Sequence, residues 1–144
     1  MVTVIDVIRE LTGTLEAAFP QYRVNTKDLT EGFDRPSYYI DVDEVRSGKI
    51  TADYFREAAD LTICYFSEEL FKGFLDLLEV KAKLQVILDQ PLEIEEKCHA
   101  TFNGVQITVS NTDKALICTC STEVIQEIER ADEEAAPMME ELNY

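Results

Sequence analysis

Apolar residues near the start of the chain recur at the spacing of an α-helix. They lie three or four positions apart from Val4 to Phe19 and form one stripe, with charged residues on the opposite side. Thr3 followed by Asp6 resembles a capping box at the start of a helix, and Pro20 ends the run. The pattern therefore predicts an amphipathic helix that packs on a sheet.

A second helix is expected between Ser67 and Pro91, where apolar residues again follow helical spacing. Glu68 and Glu69 suit the positive end of the dipole of this helix. Its apolar face is wide. The helix is therefore expected either to pack against both the sheet and the first helix, or to bury an extra edge in a partner.

The stretch 31–40 predicts a loop that turns into a strand. Gly32 tolerates a positive φ, and Pro36 pushes the residue before it into an extended conformation. Apolar and polar residues then alternate to about Val45, and they alternate again in the run that ends at Phe66. We expect these two runs to pair as a long hairpin whose turn end protrudes.

Short strands are predicted before and after these elements. One runs from about Tyr22 to Thr26. Three more are expected after the second helix, at about Cys98–Phe102, Val105–Ser110 and Lys114–Cys120. Asn103-Gly104 predicts a type I′ turn between the first two of these, because both residues tolerate positive φ. From Ser121 onward the apolar spacing favours a weaker helix.

Together these elements predict an α+β fold. We expect an antiparallel or mixed sheet of about five to six strands with two main helices packed on one face, plus a C-terminal helix. The 144 residues fit one domain, which we place at residues 1–130. Residues 131–144 form an acidic tail that is expected to fray in isolation.

Acidic residues dominate the composition. The chain has 29 Asp and Glu against 13 Lys and Arg, a net charge of −16, which argues against duplex DNA or an anionic membrane as the main partner. No apolar run approaches the roughly 20 residues of a membrane span, and no basic segment precedes an apolar one at the N-terminus. These observations favour a cytosolic protein.

Residues that could perform catalysis or bind a metal are few. His99 is the one histidine, so any triad chemistry depends on it, and it lies beside Cys98 in a predicted strand. Together with Cys118 and Cys120 these residues could supply four zinc ligands, but the usual C-x2-C spacing is missing. Buried free thiols are the simpler interpretation. We therefore predict no catalytic site, no metal and no cofactor.

The order of elements and the stretch Glu31-Gly32-Phe33-Asp34-Arg35-Pro36-Ser37-Tyr38-Tyr39-Ile40 resemble a known family. It is the tail terminator family of long-tailed bacteriophages and phage-derived elements of Gram-positive bacteria, in which the corresponding stretch reads much like G-F-x-R-P-S-F-F. The likeness covers about the first two thirds of the chain. Tyr38-Tyr39 stands in place of the more usual Phe-Phe, which leaves two hydroxyl groups that need water or a partner.

The resemblance implies a structural protein that forms a closed ring, expected to be a hexamer, on the finished tail tube. Such a ring stops tube polymerisation and joins the head-completion protein, in the host cytoplasm during assembly and then at the head-proximal end of the virion tail. DNA passes through its lumen without specific binding, and the acidic balance suits that passage.

Aromatic and basic residues near the predicted hairpin are candidates for the subunit or tube interface. Aromatic residues and Arg are enriched in protein interfaces, although core packing explains the same aromatic residues equally well. The candidates are Phe33, Arg35, Pro36, Tyr39, Lys49, Tyr54, Phe55 and Arg56. For Arg35 two roles stay open: a bridge to a neighbouring subunit, or an intramolecular anchor that fixes the loop.

Two other functions remain open at this stage. One is a different head-tail connector or tail-completion component that also assembles as a ring. The other is a small acidic enzyme or ligand-binding domain, which requires a deep pocket that contains His99 or the cysteines.

Overall fold

The computed structural model of the protein describes residues 1–24, 35–67 and 73–128. In chain order its elements are α1 (Val4–Ala18), β1 (Arg23–Val24), β2 (Ser37–Lys49), β3 (Tyr54–Phe66), α2 (Gly73–Asp89), β4 (Leu92–Glu95), β5 (Cys98–Ser110) and β6 (Ala115–Glu127). The six strands form one sheet in the order β1-β2-β3-β6-β5-β4. Because β1 runs parallel to β2 while the other pairs are antiparallel, the sheet is mixed. This confirms the predicted α+β class and the number of strands.

The first helix is where the apolar spacing predicts it. The backbone N–H of Thr3 donates to the Asp6 carboxylate at 2.9 Å, which caps the start of α1. The buried residues of α1 include Leu11 and Leu15, four positions apart, so one stripe of the helix faces the core.

A long arm of three strands dominates the sheet. β2 and β3 pair as the predicted hairpin along their whole length, and β6 pairs with β3 from Tyr54 to Phe66. Beyond the end of β6, the N–H of Ile128 donates to the carbonyl of Asp53 at 2.7 Å, inside the hairpin turn. The tip of the arm is therefore bordered by β6 as well as by the hairpin itself.

The predicted turn at Asn103-Gly104 is wrong, because both residues lie inside the single strand β5. The register between β5 and β6 shifts between Asn103 and Gln106, so the extra residues form a bulge. Gly104 has φ +63°, the positive value that a type I′ turn also requires. One continuous strand thus replaces two of the predicted short ones.

The predicted helix from Ser121 is also wrong. Residues 121–127 continue β6, and burial alternates along them, with Thr122, Val124 and Gln126 buried. Val124 packs with Val2 in a second, smaller apolar cluster. Pairing with β3 on one side and β5 on the other holds this segment extended, and that contribution is absent from local spacing.

Both helices contribute to one main core. Its strand residues include Tyr38, Leu61, Ile63, Tyr65, Leu116 and Cys118, and its α2 residues are Leu77, Val80, Leu84 and Leu88. The rings of Phe19 and Tyr22 meet the ring of Tyr65 edge to face, at centroid distances of 5.3 and 5.2 Å. That the two helices pack on a single face of the sheet stays a prediction.

The N-terminus is fastened to the far end of β6. The N–H of Val2 donates to Gln126 Oε1, and Gln126 Nε2 donates to the carbonyl of Val2, both at 2.8 Å and both buried. A buried amide side chain that satisfies a backbone donor and acceptor together leaves neither unpaired. The start of α1 is thereby joined to the strand that borders the arm.

Three further predictions fall partly or wholly outside the described residues. They are the loop that contains Phe33, the first turn of the second helix with Glu68 and Glu69, and the acidic tail at 131–144. Among the residues that are described, neither helix combines the length and the apolar character needed to cross a membrane.

Candidate functional site

Arg35 binds three backbone carbonyl groups. Its Nη1 donates to the carbonyl of Ser67 at 2.8 Å and to that of Lys114 at 3.4 Å, and its Nη2 donates to that of Asp113 at 3.1 Å. The guanidinium also lies 5.7 Å from the ring centroid of Phe66. The side chain therefore ties the start of β2 to the end of β3 and to the turn before β6, which supports the anchor role that the sequence left open.

A surface depression of about 810 Å³ lies beside this anchor. Its walls include Arg35, Tyr39, Phe66 and Ile117, and it is rimmed by the turn before β6. The rings of Tyr39 and Phe66 stack with centroids 5.8 Å apart. A hydrogen bond with Cys64, together with burial, raises the pKa of Tyr39 to about 12, so this hydroxyl is neutral at physiological pH.

The other candidates gather at the tip of the arm. The turn that joins β2 to β3 is held by Thr51, whose hydroxyl accepts from the N–H groups of Asp53 and Tyr54 at 3.1 and 3.2 Å. Lys49 and Tyr54 are exposed on either side of this turn. Ile50, which is not among the candidates predicted from the sequence, is also exposed. The tip thus presents apolar and cationic groups to the solvent together.

Two arginines near the tip bind carboxylates on neighbouring strands. Arg46 makes two hydrogen bonds of 3.1 Å to the Asp60 carboxylate, and Arg56 pairs with Glu123 across β3 and β6. The hydrogen bonds from Arg46, and then one from Ser121, lower the pKa of Asp60. The first pair joins β2 to β3 and the second joins β3 to β6, while Lys49, at the end of β2, makes no ion pair with the described residues.

The structure divides the predicted candidates into two groups at opposite ends of β2. Arg35, Pro36 and Tyr39 lie at the first end, and the tip residues lie at the other, roughly 40 Å away at the usual rise of a strand. Phe33 lies outside the described residues. Phe66 lies near Tyr39 through the predicted pairing of β2 with β3, whereas sequence reasoning did not anticipate Ile117, whose position depends on the pairing of β3 with β6.

The residues considered for catalysis and zinc lie apart in the structure. Cys118 and Cys120 are buried in the main core, Cys98 packs against the smaller cluster, and His99 is exposed opposite Glu93. Burial raises the pKa of the Cys64 thiol, which disfavours the reactive thiolate. Within the described ranges, no group of three or more His, Cys, Asp or Glu side chains is placed to hold a metal ion.

The arm tip of this α+β domain exposes apolar and cationic side chains together, as many protein interfaces do. Comparison with protein families identifies the class: a family model described as "Phage tail terminator protein" matches residues 6–135. The chain belongs to the phage tail terminator family, which gives it a structural role in a phage tail. A search of curated proteins found no match.

Proposed function

We propose that the protein caps the head-proximal end of a phage tail tube as a closed ring, expected to be a hexamer. The membership of the tail terminator family, which rests on a match over residues 6–135, carries this proposal. The ring ends polymerisation of the tube protein and offers its other side to the head-completion protein. No catalytic step or cofactor is needed, since a ring bound at the tube end covers the surface on which another tube ring adds and presents a different one in its place.

The charge of the chain supports a ring around passing DNA. At a net charge of −16, the protein repels phosphate groups at the lumen surface and does not hold the genome as it passes. The same charge makes identical subunits repel one another, so ring formation depends on local contacts that overcome this repulsion. Assembly is therefore expected to strengthen as salt screens the long-range charges.

The capping function is tested by polymerising the tube protein of the same phage with and without this protein. We expect added protein to shorten the tubes and to appear as a ring at one tube end in negative-stain images. In phage that lack the gene, we expect tails of uncontrolled length that carry no heads. Tubes that grow to unchanged length with the protein bound elsewhere, or with no protein bound, contradict capping and favour another head-tail connector role.

A further inference from the structure

The helix α2 has a second apolar stripe on the side opposite the core. At 3.6 residues per turn, Leu75, Leu78, Ala82 and Val86 fall within about 80° of one another, facing away from Leu84 and the rest of the buried stripe. Leu75 is 58% exposed and Val86 is 60% exposed. A helix that is apolar on both sides is normally covered on both sides. In this protein the described residues leave the second side of α2 exposed to solvent.

Acidic residues border this stripe. Glu79 and Asp89 lie on the same side of the helix, both exposed, and neither makes an ion pair with the described residues. Of the lysines of α2, Lys83 extends over the ring of Phe19 but also borders a depression with Ala82 and Val86, and Lys81 donates to Gln85 Oε1 at 3.5 Å. The α2 stripe is therefore an apolar surface bordered by two carboxylates without ion pairs to the described residues, while the ammonium of Lys83 lies over Phe19.

The tip of the arm has the complementary character. Ile50 and Tyr54 are 50% and 47% exposed, and Lys49 beside them has no ion pair with the described residues. Of the three cations between residues 46 and 56, Arg46 and Arg56 are paired with Asp60 and Glu123, which leaves Lys49 without an ion pair among the described residues. In a chain with a net charge of −16, Lys49 is thus the group at the tip that an acidic surface attracts.

We propose that the arm tip of one subunit binds the α2 stripe of the next copy of this chain. Ile50 and Tyr54 lie against Leu78, Ala82 and Val86, and Lys49 meets the acidic border. The two surfaces lie on different parts of the molecule, so the contact is heterologous and repeats from subunit to subunit until a ring closes. This inference rests on the proposed ring and names the surfaces that build it.

The chain's own acidic tail is a less suitable occupant of the α2 stripe. Residues 129–144 contain six acidic residues and one arginine, so their charge opposes that of Glu79 and Asp89. A partner rich in acids is disfavoured for the same reason. A second α2 stripe, in a symmetric pair, also brings like charges together.

Two single substitutions separate the two surfaces. Ile50→Glu removes the apolar tip, and Val86→Glu places a charge on the α2 stripe; both sites are exposed, so both variants are expected to fold. Ile5→Glu is the matched control, because Ile5 is 67% exposed on α1 and lies outside both surfaces. We expect each test variant to weaken self-association more than about tenfold, and the control to assemble as the unchanged protein does.

A mixture of the two variants shows whether the contact is heterologous. Each variant keeps one intact surface, so an equimolar mixture of Ile50→Glu and Val86→Glu is expected to form a heterodimer, and nothing larger, by native mass spectrometry. Dimers of Ile50→Glu alone indicate a symmetric pair of α2 stripes and overturn the proposal. A mixture that stays monomeric, or variants that assemble normally, also overturns it.

The same variants distinguish this contact from the capping function. Assembly is measured both in solution at increasing concentration and on tail tubes, and an unchanged protein that stays monomeric in both settings contradicts the contact. Rings that form through these surfaces but leave tube length unlimited contradict capping and leave the contact standing. Variants that limit tube length as the unchanged protein does contradict the contact and leave capping standing.

Discussion

The rings of Tyr38 and Tyr65 stack in the core with centroids 5.0 Å apart and planes 15° apart, and neither hydroxyl has a hydrogen-bond partner among the described residues. Burial raises the pKa of both, and for Tyr38 it does so to about 12. The core gains the contact area of two aromatic rings but leaves two polar groups without partners. Phenylalanine at position 38, as in the stretch that reads S-F-F in the family, lacks one of these two hydroxyl groups.

Tyr38→Phe is therefore expected to stabilise the protein. Removal of a buried hydroxyl with no partner recovers its desolvation penalty, about 1 kcal/mol in the free energy of unfolding. Urea denaturation followed by circular dichroism measures the change. Tyr54→Phe is the control, since its hydroxyl belongs to an exposed side chain, and we expect it to change stability by less than about 0.5 kcal/mol. Lower stability of Tyr38→Phe indicates that the hydroxyl has a partner.

Arg35→Ala is expected to destabilise the fold by about 2 kcal/mol, because it removes charge-assisted hydrogen bonds to the carbonyls of Ser67, Asp113 and Lys114. Arg35→Lys is expected to recover only part of this loss, since an ammonium cannot span several carbonyls as the planar guanidinium does. Thermal unfolding and ring assembly are measured side by side. Lost stability without a specific loss of assembly leaves Arg35 as an anchor alone.

Gly104→Ala tests the bulge in β5. An added Cβ at Gly104 meets no heavy atom within 4 Å, so the cost comes from the backbone, whose φ of +63° an alanine rarely adopts. We expect a loss of about 1 kcal/mol in the free energy of unfolding. Gly13→Ala is the matched control: it also meets nothing within 4 Å but lies inside α1, where alanine is favoured by about 0.5–1 kcal/mol. Equal effects at the two sites contradict the bulge geometry.

Alkaline pH is expected to destabilise the protein through its tyrosines. The pKa of Tyr38 and that of Tyr39 are each raised to about 12 in the folded state, above the ordinary value near 10, so the folded state holds these protons more tightly than the unfolded state. The resulting stability is complete below about pH 10 and is lost as the pH rises toward 12. Denaturant midpoints across this range measure it, and Tyr39→Phe is expected to flatten the decline. An unchanged slope in that variant contradicts the assignment.

Local sequence patterns correctly predicted those elements whose conformation depends mainly on their own residues. The stripe from Val4 to Leu15 needs only an apolar surface to pack on, and the alternation after Pro36 matches the buried Tyr38 beside the half-buried Tyr39. The two errors arose where distant pairing decides the outcome. Gly104 adopts the positive φ of a turn within a continuous strand, and Val124 is held in β6 by its neighbours on both sides.

The candidate surfaces were predictable only in part. The aromatic and basic residues of the hairpin indicated the arm tip. The wide apolar face of the second helix indicated that the helix packs against more than the sheet alone. Which half of that helix is left uncovered depends on the position of the sheet. The exposure of Leu75 and Val86, and with it the α2 stripe, could be identified only from the fold.

The buried bonds between Val2 and Gln126 have a mechanical consequence for the arm. A two-stranded hairpin peels apart from its end, one residue pair at a time. In this arm β6 runs beside β3 to the tip, so a pull along the strands is resisted by many backbone hydrogen bonds together, in shear. We therefore expect the arm to resist bending, and the bonds of Gln126 to Val2 connect it to the N-terminal end of α1.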